Sequence, residues 1–308
     1  MRCISPIKAS QNKDGDIVYN SKKAVSGLVG YQFDCRRCLP CRLNIAQEKA
    51  IRCIHEAKMH EENIFLTLTY DQENLRSEKL IYSEFKNFMR RVRDKRPEIK
   101  IPYMVTGEYG ELNKRPHWHA IVFNYQPKDY IYKYTTKRGE KVYTSEELTK
   151  IWGKGNLEFG SVTIDSAGYV ARYAAKKLVH GKDEEHDYHP IHKTSSQYGI
   201  GRSWIEKYYE HTFRNGFVTL PNGSVAGIPR YYRDWAKENK PQIYQYYLTE
   251  VQPKIMENAE KKARKEEMDY LTATFNRKGG RGQLVQRRTV ELKCLERKFK
   301  QLQENLKL

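Results

Sequence analysis

Residues 115–123 read Arg-Pro-His-Trp-His-Ala-Ile-Val-Phe, and this stretch decides the fold that we expect. Its apolar second half predicts a buried β-strand, on which alternate side chains point to the same face of a sheet. His117 and His119 therefore share one face, and Ile121 and Phe123 continue that face into the core. We expect the two imidazoles to lie at the beginning of this strand, where both can reach one cation.

The neighbouring segments predict the rest of a sheet and its helices. Residues 64–70 are apolar and β-branched, which indicates a second buried strand, and residues 99–108 indicate a third. The short, turn-rich connection between the third strand and the histidine strand favours an antiparallel hairpin. Helices are predicted over residues 42–60 and from Ser83 to about Pro97.

The composition indicates a globular protein with a polyanionic partner. The 308 residues include 56 Lys and Arg against 38 Asp and Glu, a formal net charge of +18, and such an excess is typical of nucleic-acid binding. No apolar run approaches the ~18–20 residues that span a bilayer, and the N-terminal stretch lacks the apolar core of a signal peptide. We therefore expect neither a membrane-spanning nor a secreted protein, while the charge alone names no reaction.

Cysteines are concentrated near the N-terminus. Cys35, Cys38 and Cys41 form Cys-Arg-Arg-Cys-Leu-Pro-Cys, and in a reducing compartment this spacing favours metal or redox chemistry over disulfides. Thiolates so spaced can hold one tetrahedral Zn²⁺, with Cys3 or Cys53 as the fourth ligand. A group of free thiols is the alternative, because three close cysteines do not complete a zinc site.

The His-Trp-His pair indicates a second metal site if a carboxylate completes it. Glu108 ends the strand across the expected hairpin and Glu111 lies in its turn; the rigidity of a strand end favours Glu108. Two histidines and one carboxylate leave coordination positions open, which suits Mg²⁺ or Mn²⁺ acting on a phosphate. The alternative is a pair of histidines that only satisfy hydrogen bonds on the sheet face. A further group, His186, His189 and His192, is expected in a solvated loop.

Residues 169–177 read Tyr-Val-Ala-Arg-Tyr-Ala-Ala-Lys-Lys. On a helix, Tyr169 and Tyr173 lie one turn apart on the same face, and either Lys176 or Lys177 lies one turn beyond. A phenol with a pKa of ~10 is a poor nucleophile until a nearby ammonium favours the phenolate. Two tyrosines could attack a phosphodiester in succession, the second resolving the link that the first forms. An ordinary packed aromatic face is the alternative, because chance alone produces such pairs among 23 tyrosines.

Three segments in this order, at residues 65–71 (Phe-Leu-Thr-Leu-Thr-Tyr-Asp), 115–123 and 169–177, resemble the motifs of the HUH endonucleases. These are the rolling-circle replication initiators named for His-hydrophobic-His, and the likeness, strongest to those of gokushovirus-like microviruses, covers about residues 1–235. The resemblance implies an α+β fold: an antiparallel sheet of about five strands with flanking helices, of the HUH or ferredoxin-like kind. The expected parts are residues 1–62, a cysteine-cluster segment and first helix within the catalytic body; residues 63–240, the HUH endonuclease domain; and residues 241–308, a basic, mostly helical tail.

The resemblance also implies a role for each candidate residue. The cation is Mg²⁺ or Mn²⁺, and the cysteine cluster remains a candidate for structural Zn²⁺. The implied roles are metal binding by His117, His119 and Glu108 (or Glu111); catalysis by Tyr169, Tyr173 and Lys176 (or Lys177); DNA contact by Arg115, Arg172 and Lys177; and structural zinc on Cys3, Cys35, Cys38 and Cys41.

The implied activity is that of a metal-dependent, site- and strand-specific DNA endonuclease and ligase. Through 5′-phosphotyrosine intermediates it would initiate rolling-circle replication of a circular single-stranded viral genome in the cytoplasm of a bacterial host. The chain has no G-x-x-x-x-G-K-[ST] phosphate loop, so a host helicase and DNA polymerase are expected partners, beside the single-stranded viral origin. The alternatives are a relaxase or transposase of the same chemistry, and a non-catalytic single-stranded DNA- or RNA-binding module with a structural zinc.

Overall fold

A computed structural model describes nine stretches of the chain. Two compact units divide it, residues 1–204 and residues 205–308. The expected α+β class, with an antiparallel sheet and flanking helices, is confirmed. The described stretches are residues 3–13, 16–19, 30–75, 77–110, 114–137, 139–163, 191–195, 199–277 and 285–305.

The first unit is built on a seven-stranded sheet in which all neighbouring strands are antiparallel. Its order is β10-β5-β6-β4-β9-β8-β7, and a smaller sheet near the N-terminus has the order β2-β1-β3. The strands are β1 (Ile7–Gln11), β2 (Ile17–Val18), β3 (Tyr31–Phe33), β4 (Asn63–Thr69), β5 (Tyr103–Tyr109), β6 (Pro116–Phe123), β7 (Tyr130–Thr135), β8 (Lys141–Ser145), β9 (Leu157–Ser161) and β10 (Ile191–Thr194).

The large sheet has seven strands where about five were expected, and its two edge strands explain the difference. All six residues of β7 are exposed, and β10 has only four residues. Neither strand therefore shows the alternation of buried and exposed positions that marks a half-buried strand in sequence. The presence of β10 also corrects the expectation that His192 belongs to a solvated loop, because its side chain is half-buried beside the sheet.

Helices of the first unit cover the two faces of the large sheet. One face of β6, with Trp118, Ala120 and Val122, packs against the second helix in a large core cluster. The other face, with Ile121 and Phe123, packs against the first helix. The histidine pair therefore lies on the face that the first helix covers. These helices are α1 (Leu39–Ala57), α2 (Tyr82–Asp94) and α3 (Glu146–Trp152).

The second unit is mostly helical. A short hairpin of β11 (Val218–Thr219) and β12 (Val225–Ala226) turns at Gly223, whose φ of +78° suits a residue without a side chain. No helix in the described stretches is long and apolar enough to cross a bilayer. The helices are α4 (Arg202–Asn215), which begins in the first unit, α5 (Arg230–Asn239), α6 (Pro241–Tyr246), α7 (Gln252–Arg277) and α8 (Arg287–Asn305), with one π-helical turn at Tyr247–Val251.

Candidate metal centre

The two histidines of the sequence motif lie on the central strand β6, between β5 and β4. The expected hairpin is confirmed: His117 is directly opposite Glu108 across β5 and β6. His119 is opposite Thr67 on its other side. Side chains of directly opposed residues point to the same face of a sheet. The register alone therefore brings one carboxylate, two imidazoles and a threonine hydroxyl onto the α1 face.

Three donor atoms converge at this point. Glu108 Oε1 lies 2.9 Å from His119 Nε2 and 3.4 Å from His117 Nε2, and the three ligand atoms all lie within 4.8 Å of one another. The Glu108 side chain is 8% exposed, against 21% for His117. The group is therefore held by the protein on one side and open to solvent through His117 on the other.

The second nitrogen of each imidazole has its own partner. His117 Nδ1 lies 3.2 Å from the Arg115 carbonyl oxygen, to which only a protonated Nδ1 can donate. His119 Nδ1 lies 3.0 Å from the Thr67 hydroxyl oxygen. Partners of this kind set the tautomer that leaves Nε2 with its lone pair, as metal-ligating histidines require. The donor set of two imidazoles and a carboxylate fits a divalent cation with open coordination positions.

The carboxyl group of Glu108 is ionised at any physiological pH. Burial raises its pKa, but the hydrogen bonds and charges of His117 and His119 outweigh burial and lower the pKa to about 2. A cation ligand must be deprotonated, so Glu108 is ready to bind without losing a proton.

Arg115, expected to contact DNA, makes two hydrogen bonds within the protein. Its guanidinium donates to the Tyr70 carbonyl oxygen at 2.8 Å and to Gln72 Oε1 at 3.2 Å. It thereby links the beginning of β6 to the segment that follows β4. The other expected residues of this site lie outside the described stretches: Glu111, Tyr169, Arg172, Tyr173, Lys176 and Lys177.

The four N-terminal cysteines named as zinc candidates lie together. The sulfur atoms of Cys3, Cys35, Cys38 and Cys41 are all within 4.8 Å of one another. Cys53, the other possible fourth member, lies in the core with its Sγ 3.6 Å from Met104 Sδ. Of the two alternatives that the sequence leaves open, the structure brings Cys3 to the cluster.

Two polar residues beside the metal centre were missed by the sequence reasoning. Thr106 is fully buried opposite His119, and its hydroxyl lies 2.9 Å from Nδ1 of His192 on β10. With Thr67, these residues form a polar row across four strands. The alternation of Thr67 with apolar neighbours was a usable signal, since it places the hydroxyl on the His119 face. Nothing local to His192 indicates that its strand pairs with β5.

Comparisons with known proteins agree on one class of relative. Residues 63–178 match the family described as Replication-associated protein ORF2. Over the full length of both chains, the protein is 53% identical to the Replication-associated protein VP4 of Bdellovibrio phage phiMH2K. It is 33% identical to the Replication-associated protein ORF4 of Chlamydia phage 1 over 66% of this chain and 53% of that one. It is 28% identical to the Replication-associated protein ORF2 of Spiroplasma virus 4 over 83% of this chain and 87% of that one. No solved structure matches.

Proposed function

This chain belongs to the family of phage replication-associated proteins, and we propose that it is the endonuclease and ligase that starts rolling-circle replication of a circular single-stranded genome. It nicks one strand at the origin, keeps the 5′ end on a tyrosine, and later rejoins the ends. A helicase and a DNA polymerase of the infected bacterium supply strand separation and synthesis.

The observation that carries this proposal is the convergence of Glu108, His117 and His119 on one point of a rigid sheet. Three neighbouring positions on two paired strands hold the donor atoms, so their spacing depends on the strand register and not on a loop. Mg²⁺ or Mn²⁺ bound there would polarise a phosphodiester oxygen and fix the orientation of the phosphate. The open side at His117 gives a nucleic-acid backbone access to it.

The tyrosines supply the nucleophile in this proposal. The phenolic oxygen of Tyr169 or Tyr173 attacks the phosphorus; the bond from phosphorus to the 3′ oxygen breaks, and the 3′ oxygen leaves as a hydroxyl that gains a proton. The 5′ phosphate remains esterified to tyrosine, which conserves the bond for religation. Lys176, or Lys177, favours the phenolate by its charge. The support for these roles is the sequence motif and its order after the histidine strand.

The test is a covalent adduct. Single-stranded oligonucleotides tiling the genome that encodes the chain are incubated with protein and Mn²⁺ and separated on a denaturing gel. We expect one region of the genome to give a protein–DNA adduct that chelation of the metal prevents. His117→Ala and His119→Ala should each abolish it, because two donors no longer define the site.

Tyrosine variants divide the nucleophiles. Tyr169→Phe and Tyr173→Phe should each lose one of the two steps, cleavage or rejoining, and the double variant should form no adduct. Tyr19→Phe, a change at a side chain that is 67% exposed, is the matched control and should behave as wild type. An adduct that persists in the double variant would remove these tyrosines from the mechanism, and no adduct from any oligonucleotide would overturn the proposed function.

A further inference from the structure

We propose that Cys3, Cys35, Cys38 and Cys41 bind one structural Zn²⁺ that fastens the N-terminal segment to the beginning of α1. This four-cysteine cluster is separate from the Glu108–His117–His119 centre, and no step of DNA cleavage requires it. The proposal rests on the geometry of the four sulfurs and of the backbone around them.

The spacing of the sulfurs suits one tetrahedral ion. With Zn–S bonds of about 2.3 Å, the sulfurs of a tetrahedral site lie about 3.8 Å apart. Cys38 Sγ and Cys3 Sγ are 3.8 Å apart, and all four sulfurs lie within 4.8 Å of one another. A disulfide needs sulfurs about 2.05 Å apart, so the Cys3–Cys38 pair is nearly twice too distant for one.

Backbone N–H groups already point at the sulfurs. The Cys38 amide donates to Cys35 Sγ, and the Cys35 amide donates to Cys3 Sγ, both at 3.3 Å. Arg36, between the two cysteines, has a φ of +59°, a left-handed conformation that lets the chain fold back over its own sulfur. Such donors stabilise thiolates more than thiols, because hydrogen bonds to a charged acceptor are the stronger ones.

The cluster joins parts of the chain that are distant in sequence. Cys3 precedes β1, whereas Cys38 is the N-cap of α1, and its side chain does not cap this helix. Bound thiolates would place negative charge beside the positive end of the helix dipole. Cys3 and Cys41 are 6% and 2% exposed, as expected for a closed structural site and not for a catalytic one.

The experiment measures metal in the full-length protein, purified without added metal and under reducing conditions. We expect about one zinc per chain, retained after removal of weakly bound cations. Replacement by Co²⁺ should give the visible absorption of a tetrahedral thiolate site, which needs no variant and no folded apo protein. Iron in place of zinc, or no metal with all six thiols titratable, would overturn the proposal.

Variants then identify the ligands. Cys38→Ser should lower zinc content and the thermal midpoint together, whereas Cys294→Ser, at an exposed cysteine, and Cys53→Ala, at a buried one, should both retain zinc. Retention of zinc by Cys38→Ser would place the metal elsewhere. The adduct assay is a separate readout, so failure of the zinc proposal leaves the proposed function standing.

An independent observation concerns the edge of the sheet farthest from β10. Tyr130, Ile131, Tyr132 and Tyr134 of β7 are 49%, 61%, 54% and 42% exposed. The rings of Tyr130 and Tyr132 lie 5.5 and 6.2 Å from that of Tyr143 on β8, which holds them out from the sheet. We call this set, with Tyr143, the tyrosine edge.

The charge around the tyrosine edge is basic. Residues 128–141 contain five Lys and Arg against two Asp and Glu. A register shift between Tyr132 and Tyr134 puts tyrosines on both faces of the strand, and the Tyr134 hydroxyl reaches Glu158, which is opposite Thr67 on the metal-centre face. Aromatic rings interleaved with cations are the surface on which unpaired bases stack.

From the exposed rings and the charge we infer that the tyrosine edge binds single-stranded DNA flanking the cleaved phosphate; this inference rests on the proposed function. Four strand spacings separate β6 from β7, about 19 Å. At about 3.4 Å per phosphate, that distance corresponds to about six nucleotides. Bases at this distance from the nick, on one side of it, would stack on Tyr130 and Tyr132.

The test separates stacking from charge. Tyr130→Ala/Tyr132→Ala should weaken binding of an origin oligonucleotide at least about fivefold per stacked base, with an unchanged dependence of affinity on salt. Tyr130→Phe/Tyr132→Phe should bind as wild type, because the rings remain. Lys133→Ala should instead reduce the salt dependence. Abasic substitution about six nucleotides from the nick should weaken wild type but not the alanine variant.

Two results would overturn the tyrosine edge as a DNA surface. One is wild-type affinity in the double alanine variant. The other is a changed oligomeric state in that variant with unchanged DNA affinity, which would assign the exposed strand to a second copy of the chain. In either case wild-type protein still forms its tyrosine adduct; loss of that adduct is the failure of the proposed function instead.

Discussion

Gly107 lies directly opposite Trp118 in the register of β5 and β6, and the indole occupies the space that a side chain at Gly107 would fill. A Cβ at Gly107 would lie 2.6 Å from Cζ3 of Trp118. Trp118 is fully buried, and its Nε1 donates to the Tyr70 hydroxyl at 2.9 Å. Because Trp118 separates His117 from His119, its packing on one face helps to set both imidazoles on the other.

Gly107→Ala should therefore destabilise the protein by about 1–3 kcal/mol, the usual cost of overpacking a core. Denaturant unfolding measures this. Gly227→Ala, where a Cβ would meet nothing within 4 Å, is the control and should change little. Adding Trp118→Leu to Gly107→Ala should cost less than the sum of the two single changes, since the smaller side chain relieves the clash. Strict additivity would contradict this account.

Thr67→Val should weaken binding of Mn²⁺ about 10- to 100-fold, because His119 loses the hydroxyl that orients its ring. Thr69→Val is a matched control on the same strand and face, where the hydroxyl contacts the Asn156 carbonyl oxygen instead of a histidine. Calorimetric titration of both variants checks this. Equal affinities in the two would show that the Thr67 hydroxyl does not support the metal centre.

Glu108 should make stability depend on acid in the metal-free protein. Its folded pKa of about 2 lies below the ordinary 4.5, so the unfolded chain binds the proton more readily. The stabilisation is complete above about pH 4.5 and is lost as the pH falls toward 2, by up to about 3 kcal/mol in all. In unfolding titrations with chelator present, Glu108→Gln should flatten this dependence. The exposed Glu61→Gln should not; a similar slope in Glu108→Gln would sink the prediction.

Glu56 on α1 holds the segment before α4, since its Oε2 accepts the Gly201 amide at 2.6 Å. Both residues are buried. Glu56→Ala leaves that N–H without its acceptor and should cost about 1–3 kcal/mol of unfolding free energy. Glu56→Gln keeps an oxygen and should cost less, and Glu61→Ala, at an exposed position, should cost almost nothing. Equal losses for alanine and glutamine would assign the effect to charge instead of the hydrogen bond.

Local patterns in the sequence were enough for the centre of the fold. Alternation along residues 115–123 predicts the strand, its buried face and the shared direction of His117 and His119. The short connection before it predicts the hairpin, and the hairpin brings Glu108 within reach. These inferences succeed because side-chain direction on a strand has a period of two residues, which a sequence displays directly.

Edge strands and distant partners were beyond such patterns. β7 is exposed on both faces, so no burial period marks it, and β10 joins β5 across more than eighty residues of chain. His192 was assigned to solvent for that reason. Its pairing with Thr106 depends on where a short strand lands at the sheet edge.

By itself, the sequence determined the ligand types, the histidine strand and the family resemblance, because each is written in adjacent or regularly spaced residues. Only the tertiary structure decided that Cys3 and not Cys53 joins Cys35, Cys38 and Cys41, and that His192 extends the polar row. Contacts of this kind depend on packing and register between segments distant along the chain, and no local periodicity records them.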